Sequence, residues 1–508
     1  MRILFATVAP LRQDAAGPTS DLASARYRVI LPAGQLARLG HSVQIASLPS
    51  AGWPREVLEA ACDVLVISKS FHGANETLAE AMKRRGVRVA VDFCDDYFDD
   101  GRFGAHFRRL AELAGILIAG SDAMAASVHR HTGRDAIVVT DPVEGPRGEP
   151  RFAPRFPRLD VAWFGHPSNL PAVAANAERL HALARRFPVR LTAVTLPSPD
   201  AQALLDALAR PMPAALETRL VPWSREATWQ ALADADVVWI PVEPAQNKAV
   251  KSPNRLLEAV WAGRFVVADA LPAYEPWSGL LPVGRPLEDA IAQAMADPAA
   301  ACRRIGEAQR RIASRHSSFA CGREWARALG DEAPRALRLN LGCGDKILAG
   351  YVNVDVVESR AGQRPDVVCD LHDLAPFADA SVDEVLAVHV VEHFWRWEVA
   401  GVLREWVRVL KPGAPLVLEC PNLASACSTF LADPSSGSRA DAAGQRTMWV
   451  FYGDPQWRDP LMVHRWGYTP QSLAALMAEA GLAHVRQEPA QFKLREPRDM
   501  RIVGIKPQ

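Results

Sequence analysis

The stretch LRLNLGCGDK, residues 337–346, indicates how the carboxyl-terminal third of the chain folds. Apolar residues alternate with polar ones up to Leu341, which predicts a β-strand. Gly342 and Gly344 follow at once, and glycines at this spacing let a backbone turn tightly and approach a bound nucleotide closely. The stretch therefore predicts a strand that ends in a ligand-binding loop.

Two more predicted strands, at 351–355 and 366–370, each end in an acid. The carboxyl ends of parallel strands lie along one edge of a sheet, where open sheets bind their ligands. The sequences HVVEHF at 389–394 and LREWVRVLKPG at 403–413 then follow in order. This ordered series resembles the class I S-adenosylmethionine-dependent methyltransferases.

The resemblance implies S-adenosyl-L-methionine as cofactor and assigns roles to several residues. Gly342 and Gly344 would line its methionine part and Asp355 would accept its ribose hydroxyls, whereas the alternative is that the acids only cap strand ends. The adenine would contact Asp370 and Leu371, with His389 at the end of the fourth strand. His393 is the candidate general base, with a packed structural histidine as the alternative.

One departure from the dinucleotide pattern concerns the first helix. Only residues 345–354 separate Gly344 from Asp355, whereas the usual spacing between such a loop and its acid is about 20 residues. The first helix must therefore be very short or replaced by a loop.

Length and composition exclude several classes of protein. The 508 residues exceed one ordinary domain, and equal totals of basic and acidic residues, 58 each, give no basic field for nucleic acid. The eight scattered cysteines favour a reduced, cytoplasmic chain. Without a run of about 20 apolar residues, membrane contact is expected to be peripheral, at the inner face.

Strands alternate with helical periods throughout, which predicts an α/β fold with three Rossmann-like units. Prolines between Asp141 and Pro157 predict a first linker, and residues 330–334 a second. The predicted domains are 1–150, 151–330 and 335–508.

The sequence KAVKSPNRLLEAVWAG, residues 248–263, resembles the donor half of a GT-B glycosyltransferase close to family four. Cations and amides at this helix start could neutralise the diphosphate of a nucleotide-sugar, and Glu258 could accept ribose hydroxyls. The predicted donor-binding residues are Lys248, Lys251, Ser252, Asn254, Arg255 and Glu258. Val250 replaces the first glutamate of the family's usual pair, so a solvated helix start is the alternative.

The first 150 residues would then form the acceptor side. Arg26 and Arg28 precede the first helix and could meet a phosphate or the acceptor, or be plain surface residues. His72 follows a predicted strand and is a candidate base for an acceptor hydroxyl. The acids from Asp92 to Asp100 invite a metal interpretation. The GT-B resemblance argues against it, so no metal is predicted.

These observations predict a bifunctional enzyme. It would transfer a sugar from a nucleotide-sugar to a glycan or glycolipid acceptor and methylate a sugar, through oxygen, in surface polysaccharide biosynthesis. One alternative is a methyltransferase that carries a non-catalytic glycan-binding module. Another is a protein or small molecule as methyl acceptor.

Overall fold

The computed structural model describes residues 1–14, 17–49, 52–69, 71–154, 157–243, 249–331, 336–439, 442–492 and 497–508. The chain forms two compact units, residues 1–332 and 333–508, called the amino-terminal and carboxyl-terminal units below. Among the described residues, no helix combines the length and apolar character needed to cross a membrane.

The amino-terminal unit contains two parallel sheets. The first has six strands in the order β4-β1-β5-β6-β7-β8, and an antiparallel pair, β2 and β3, lies outside it. The strands are β1 (Arg2–Thr7), β2 (Arg12–Asp14), β3 (Gly17–Thr19), β4 (Ser42–Ser47), β5 (Val64–Ser68), β6 (Arg88–Phe93), β7 (Ile116–Ala119) and β8 (Ile137–Val138). All five residues of β5 are buried, as expected for a central apolar strand.

Helices connect these strands. They are α1 (Ala23–Ala25), a π-helical turn (Arg26–Ile30), α2 (Leu31–Arg38), α3 (Arg55–Leu58), α4 (Gly73–Arg84), α5 (Gly104–Leu113) and α6 (Asp122–Thr132). Local signals fix α6, because the Ser121 side chain caps its start and left-handed Gly133 ends it.

The second sheet has five parallel strands in the order β11-β10-β9-β12-β13. Its strands are β9 (Leu159–Phe164), β10 (Val189–Thr195), β11 (Leu216–Pro222), β12 (Val237–Ile240) and β13 (Phe265–Ala268). The helices around it are α7 (Pro171–Ala175), α8 (Ala177–Ala184), α9 (Pro199–Ala209), α10 (Arg225–Asp234), α11 (Asn254–Trp261), α12 (Leu287–Ala296) and α13 (Pro298–His316).

The last helix of the amino-terminal unit, α14 (Ser318–Ala328), packs on the first sheet although the second precedes it in sequence. Trp325 is fully buried in a core cluster with Phe5 and Val29. The Phe5 and Trp325 rings meet edge to face, with centroids 5.7 Å apart. The final helix thus completes the core of the first sheet.

The carboxyl-terminal unit has one sheet of seven strands in the order β16-β15-β14-β17-β18-β20-β19. The first five are parallel, and β20 runs antiparallel to β18 and β19. The strands are β14 (Arg338–Leu341), β15 (Val352–Asp355), β16 (Val367–Val368), β17 (Glu384–Val388), β18 (Pro415–Pro421), β19 (Ala483–Glu488) and β20 (Asp499–Ile505). The helices are α15 (Val399–Val409), α16 (Leu423–Ala432), α17 (Ala442–Gln445), α18 (Met448–Tyr452) and α19 (Pro470–Glu479).

The fold prediction is confirmed, since three α/β sheets follow one another along the chain. Between β14 and β15 the chain forms turns and no helix, as the short spacing predicts. Strand β11 and helix α9 lie in a part of the second sheet for which the sequence predicts no element.

Candidate functional site

The loop after β14 depends on its two glycines. Gly342 and Gly344 have φ angles of 61° and 54°, in the left-handed region that glycine adopts without strain. A Cβ atom on Gly342 would lie 2.6 Å from Cγ2 of Val390. The loop therefore packs against the turn after β17, and a side chain at residue 342 would push the two apart.

Asp355 ends the neighbouring strand β15 and holds this loop. Its Oδ2 accepts a hydrogen bond from the Gly344 amide at 2.7 Å, and its Oδ1 accepts one from the Val357 amide at 3.1 Å. Each carboxylate oxygen retains a further lone pair. The residue can therefore still accept hydroxyl groups at the sheet edge.

The other predicted cofactor residues follow the adjacent strands β16 and β17. Asp370 is exposed and accepts from the His372 amide at 2.9 Å, and the Leu371 carbonyl accepts from Trp406 Nε1 at 2.9 Å. His389 follows β17 with φ 57°, and its ring lies 3.3 Å from both Glu392 and Asp499. The strand order β16-β15-β14-β17 brings these positions to one edge, which fits an adenosyl cofactor.

Glu392 and His393 lie in a 3-10 turn directly after His389, and His464 approaches them from the segment after β18. Glu392 is 1% exposed. Burial alone would raise the pKa of its carboxyl group, but His389, His393 and His464 lower it to about 2. Burial lowers the pKa of His393, so this imidazole is neutral near pH 7.

Exposed tryptophans stand beside this turn. The rings of Trp395 and Trp397 stack with centroids 5.0 Å apart, and the Arg465 guanidinium covers Trp395. Trp397 is 75% exposed, so its ring is available to the face of a sugar. Trp466, in the segment after β18, is also exposed.

In the amino-terminal unit, the predicted diphosphate residues contact carboxylates. Lys251 pairs with Asp95. Ser252 donates to Asp141 at 2.6 Å, and Asn254 donates to the same oxygen at 2.8 Å. Burial would lower the pKa of Lys251, but Asp95 raises it above its usual value. Two carboxylates of this unit therefore neutralise the start of α11.

Glu258, one turn along α11, accepts a hydrogen bond from the Tyr27 hydroxyl. Burial raises the pKa of Glu258 to about 7, although the Tyr27 hydrogen bond and nearby arginines oppose the shift. Arg255 Nη1 is buried without a hydrogen-bond partner, close to Gly165 at the end of β9. Lys248 lies outside the described residues.

Three residues singled out in the first 150 contact neighbouring groups, and one expectation, for Arg28, needs correction. His72 caps α4, because its Nδ1 accepts from the Ala74 amide at 3.2 Å. This contact does not test the predicted role of His72 as a base, which stays a prediction. Arg28 is no surface or phosphate residue, since it is buried between Asp92 and Asp141. Arg26 pairs with Glu144 at 2.8 Å.

A cavity of about 420 Å³ lies on the second sheet, away from α11. It is lined by residues including Arg158, Asp160, Arg190, Arg219 and Asp234. Asp160 and Arg190 lie near the amino ends of β9 and β10. Open parallel sheets bind ligands at the opposite ends of their strands, so we do not place a donor there.

Residues 339–418 match the protein family described as "Methyltransferase domain". The match runs from β14 into β18 and includes Gly342, Gly344, Asp355 and His389. The carboxyl-terminal unit thus contains a methyltransferase domain, as the sequence predicts. No curated protein matches the chain significantly.

Several solved structures resemble about two thirds of the chain. Anabaena HepE in complex with UDP and glucose is 14% identical, covers 65% of this chain and 100% of its own, and has a TM-score of 0.48. An E. coli structure described as trehalose-6-phosphate bound with UDP-2-fluoro glucose is 12% identical, covers 65% and 99%, and scores 0.45. A structure concerning enzymatic glycosyltransfer with retention by trehalose-6-phosphate synthase is 13% identical, covers 66% and 94%, and scores 0.43.

Three residues make contacts that the sequence does not predict. Asp141 is the first residue of the proline-rich linker, and Tyr27 lies between Arg26 and Arg28. His464 is 71 positions from His393. Their partners are distant in sequence. His464 lies in the aromatic-rich segment after β18, which is its signal in the sequence.

Proposed function

We propose that the chain is a bifunctional transferase. Its carboxyl-terminal unit would methylate a sugar hydroxyl with S-adenosyl-L-methionine. Its amino-terminal unit would transfer a sugar from a nucleotide-sugar to a glycan or glycolipid. Both steps would serve one product, such as a surface polysaccharide, at the inner face of a membrane. The domains would span 1–150, 151–330 and 335–508.

The position of Asp355 carries the methyltransferase part of the proposal. Its carboxylate ends the strand next to the glycine loop and holds that loop through the Gly344 amide. A ribose bound at this edge would place its hydroxyls on Asp355, with the methionine part along Gly342 and Gly344. Asp370, Leu371 and His389 would contact the rest of the cofactor.

The cofactor supplies an electrophilic methyl group, and the chain has to align an acceptor with it. His393 is the residue that we place next to the acceptor hydroxyl, because it follows His389 in the turn after β17. Trp395 and Trp397 would hold a sugar by stacking. The same surface could receive a small molecule or a protein side chain instead, and the acceptor screen below separates these cases.

The amino-terminal unit supports sugar transfer through the residues at the start of α11. Lys251, Ser252, Asn254 and Arg255 carry cationic or donor groups around the start of α11, and Glu258 follows one turn later. The unpartnered Arg255 Nη1 is a donor without an acceptor, which suits a phosphate oxygen. HepE, which is similar in fold, is described in complex with UDP-glucose.

A second candidate function is a glycan-binding module without transfer. Tyr27 bonds to Glu258, and Asp95 and Asp141 take the positions where a diphosphate would meet Lys251, Ser252 and Asn254. If these contacts persist, no donor binds. Release of a nucleoside diphosphate separates the two functions, since a binding module releases none.

The test offers the full chain a panel of nucleotide-sugars and glycan, glycolipid, peptide and small-molecule acceptors, with and without S-adenosyl-L-methionine. Mass spectrometry follows the products. The proposal expects a hexose-sized gain and a methyl-sized gain on the same molecule. A methyl gain without any sugar transfer supports the binding module, and the absence of both gains contradicts the proposal.

A further inference from the structure

Two histidines of the carboxyl-terminal unit are held by the same kind of contact. His393 Nδ1 lies 3.1 Å from the Val463 carbonyl, and His464 Nδ1 lies 2.9 Å from the Val450 carbonyl. A carbonyl oxygen only accepts, so each Nδ1 carries a proton and donates it. In the neutral ring, Nε2 then carries a lone pair. Histidines that bind metals are commonly fixed in this way.

Glu392 lies between these histidines. Its side chain is 2% exposed, and both carboxylate oxygens are buried without a hydrogen bond of good geometry. The nearest nitrogens are His389 Nδ1 at 3.3 Å and His464 Nε2 at 3.9 Å from Oε1. A buried carboxylate requires hydrogen bonds, an ion pair or a metal ion. His389 approaches one oxygen of the Glu392 carboxylate, and the other oxygen can still bind a cation.

We propose that Glu392, His393 and His464 form a binding site for a divalent transition-metal cation. Their ligand atoms lie within 4.8 Å of one another. A tetrahedral ion about 2.1 Å from each ligand holds the ligand atoms about 3.4 Å apart, so the three atoms must approach one another by up to about 1.4 Å. Two imidazoles with one carboxylate favour Zn²⁺ or its neighbours in the first row over Mg²⁺ or Ca²⁺.

Three protein ligands leave a coordination position open, as catalytic rather than structural sites do. This role rests on the proposed methyl transfer: the open position would receive the acceptor hydroxyl. A coordinated hydroxyl loses its proton to solvent at lower pH than a free one. The exposed Trp395 and Trp397 next to the turn would hold the rest of the acceptor.

The test uses the full chain after removal of metals with a chelator. Co²⁺ is added and its visible absorption is recorded, and Zn²⁺ affinity is then measured by competition. We expect one bound Co²⁺ per chain, with the intense absorption of a four- or five-coordinate site. H464Q and E392Q should each weaken binding more than tenfold. H129Q, which changes an exposed histidine of the other unit, should leave binding unchanged.

Binding of S-adenosyl-L-methionine by each variant checks that the unit is folded. If E392Q disturbs folding, H464Q still decides, because His464 comes from a separate segment. The absence of Co²⁺ absorption in the wild type, or equal absorption in H464Q, would overturn the proposal. Metal binding needs no methyl transfer, so a chain that binds the ion but never methylates a sugar refutes the proposed function and leaves the metal site standing.

Discussion

The Tyr27 hydroxyl donates a hydrogen bond to the Glu258 carboxylate and so links the turn before α2 to helix α11. Both residues lie in the amino-terminal unit, but they are 231 positions apart. Glu258 is also the residue proposed to receive the ribose of a donor. Tyr27 and the donor therefore compete for one carboxylate.

The Y27F variant should bind a nucleoside diphosphate more tightly than the wild type. Binding then no longer has to break a hydrogen bond to a carboxylate, an interaction that contributes about 1.5–3 kcal/mol. We expect a gain of about tenfold in UDP affinity, measured by calorimetry. Y452F removes an exposed hydroxyl from the other unit and is the matched control. An unchanged or weaker affinity for UDP would argue that Glu258 does not meet the donor.

Glu258 should also make stability depend on pH. Its folded pKa, about 7, lies above the ordinary value of 4.5, so the folded chain binds more protons between these values and stability falls as pH rises through them. The E258Q side chain does not ionise, so it stays neutral at every pH. We expect its melting temperature to match the wild type near pH 4.5 and to exceed it by a few degrees above pH 7.

Differential scanning calorimetry at several pH values follows the unfolding of each unit. E307Q, which changes an exposed glutamate of α13, should show no such pH-dependent difference. A gap between E258Q and the wild type that narrows as pH rises would contradict the assignment.

Arg28 should be needed for stability. It is 1% exposed and lies 2.5 Å from Asp92 and 2.9 Å from Asp141. R28M leaves two buried carboxylates without their cation, and breaking such a pair costs about 3–5 kcal/mol. We expect a much lower melting temperature for the amino-terminal unit, whereas R84M, on the exposed face of α4, should be neutral. A stable R28M chain that only binds donor less well would restore the phosphate role.

The glycine loop of the carboxyl-terminal unit should not tolerate a methyl group at residue 342. In G342A the new Cβ would meet Val390 at 2.6 Å, in addition to left-handed strain. Calorimetry should show a loss of S-adenosyl-L-methionine affinity of more than tenfold. G350A suffers only the strain, because nothing lies within 4 Å of its Cβ, and should keep its affinity.

Removing the clash should restore part of the binding. V390A shortens the side chain that the new methyl group meets, so G342A/V390A is expected to bind more tightly than G342A alone. Equal affinity in both variants would show that backbone strain, rather than the contact with Val390, controls the loop.

The sequence predicts local features well and distant partnerships poorly. The strand that ends in Asp355, and the loop that replaces the first helix, follow from apolar alternation and spacing. The contacts of Tyr27 and Asp141 do not, because side chains far apart in sequence meet only after the sheets have packed. His72 illustrates the same limit, since its position after a strand suits both a base and a helix cap. The contact with the Ala74 amide shows the cap, and the role as a base stays a prediction.

Helix α14 has a consequence for synthesis on the ribosome. Trp325 completes the core around Phe5 and Val29, and the Leu329 carbonyl accepts a hydrogen bond from Arg88 at 2.8 Å. The core of the first sheet is therefore completed only after residues more than 300 positions beyond its first strand have been synthesised. Contacts of such long range slow folding. A nascent chain stalled or cut near residue 150 would leave an apolar face of its first sheet without its cover, a natural target for chaperones.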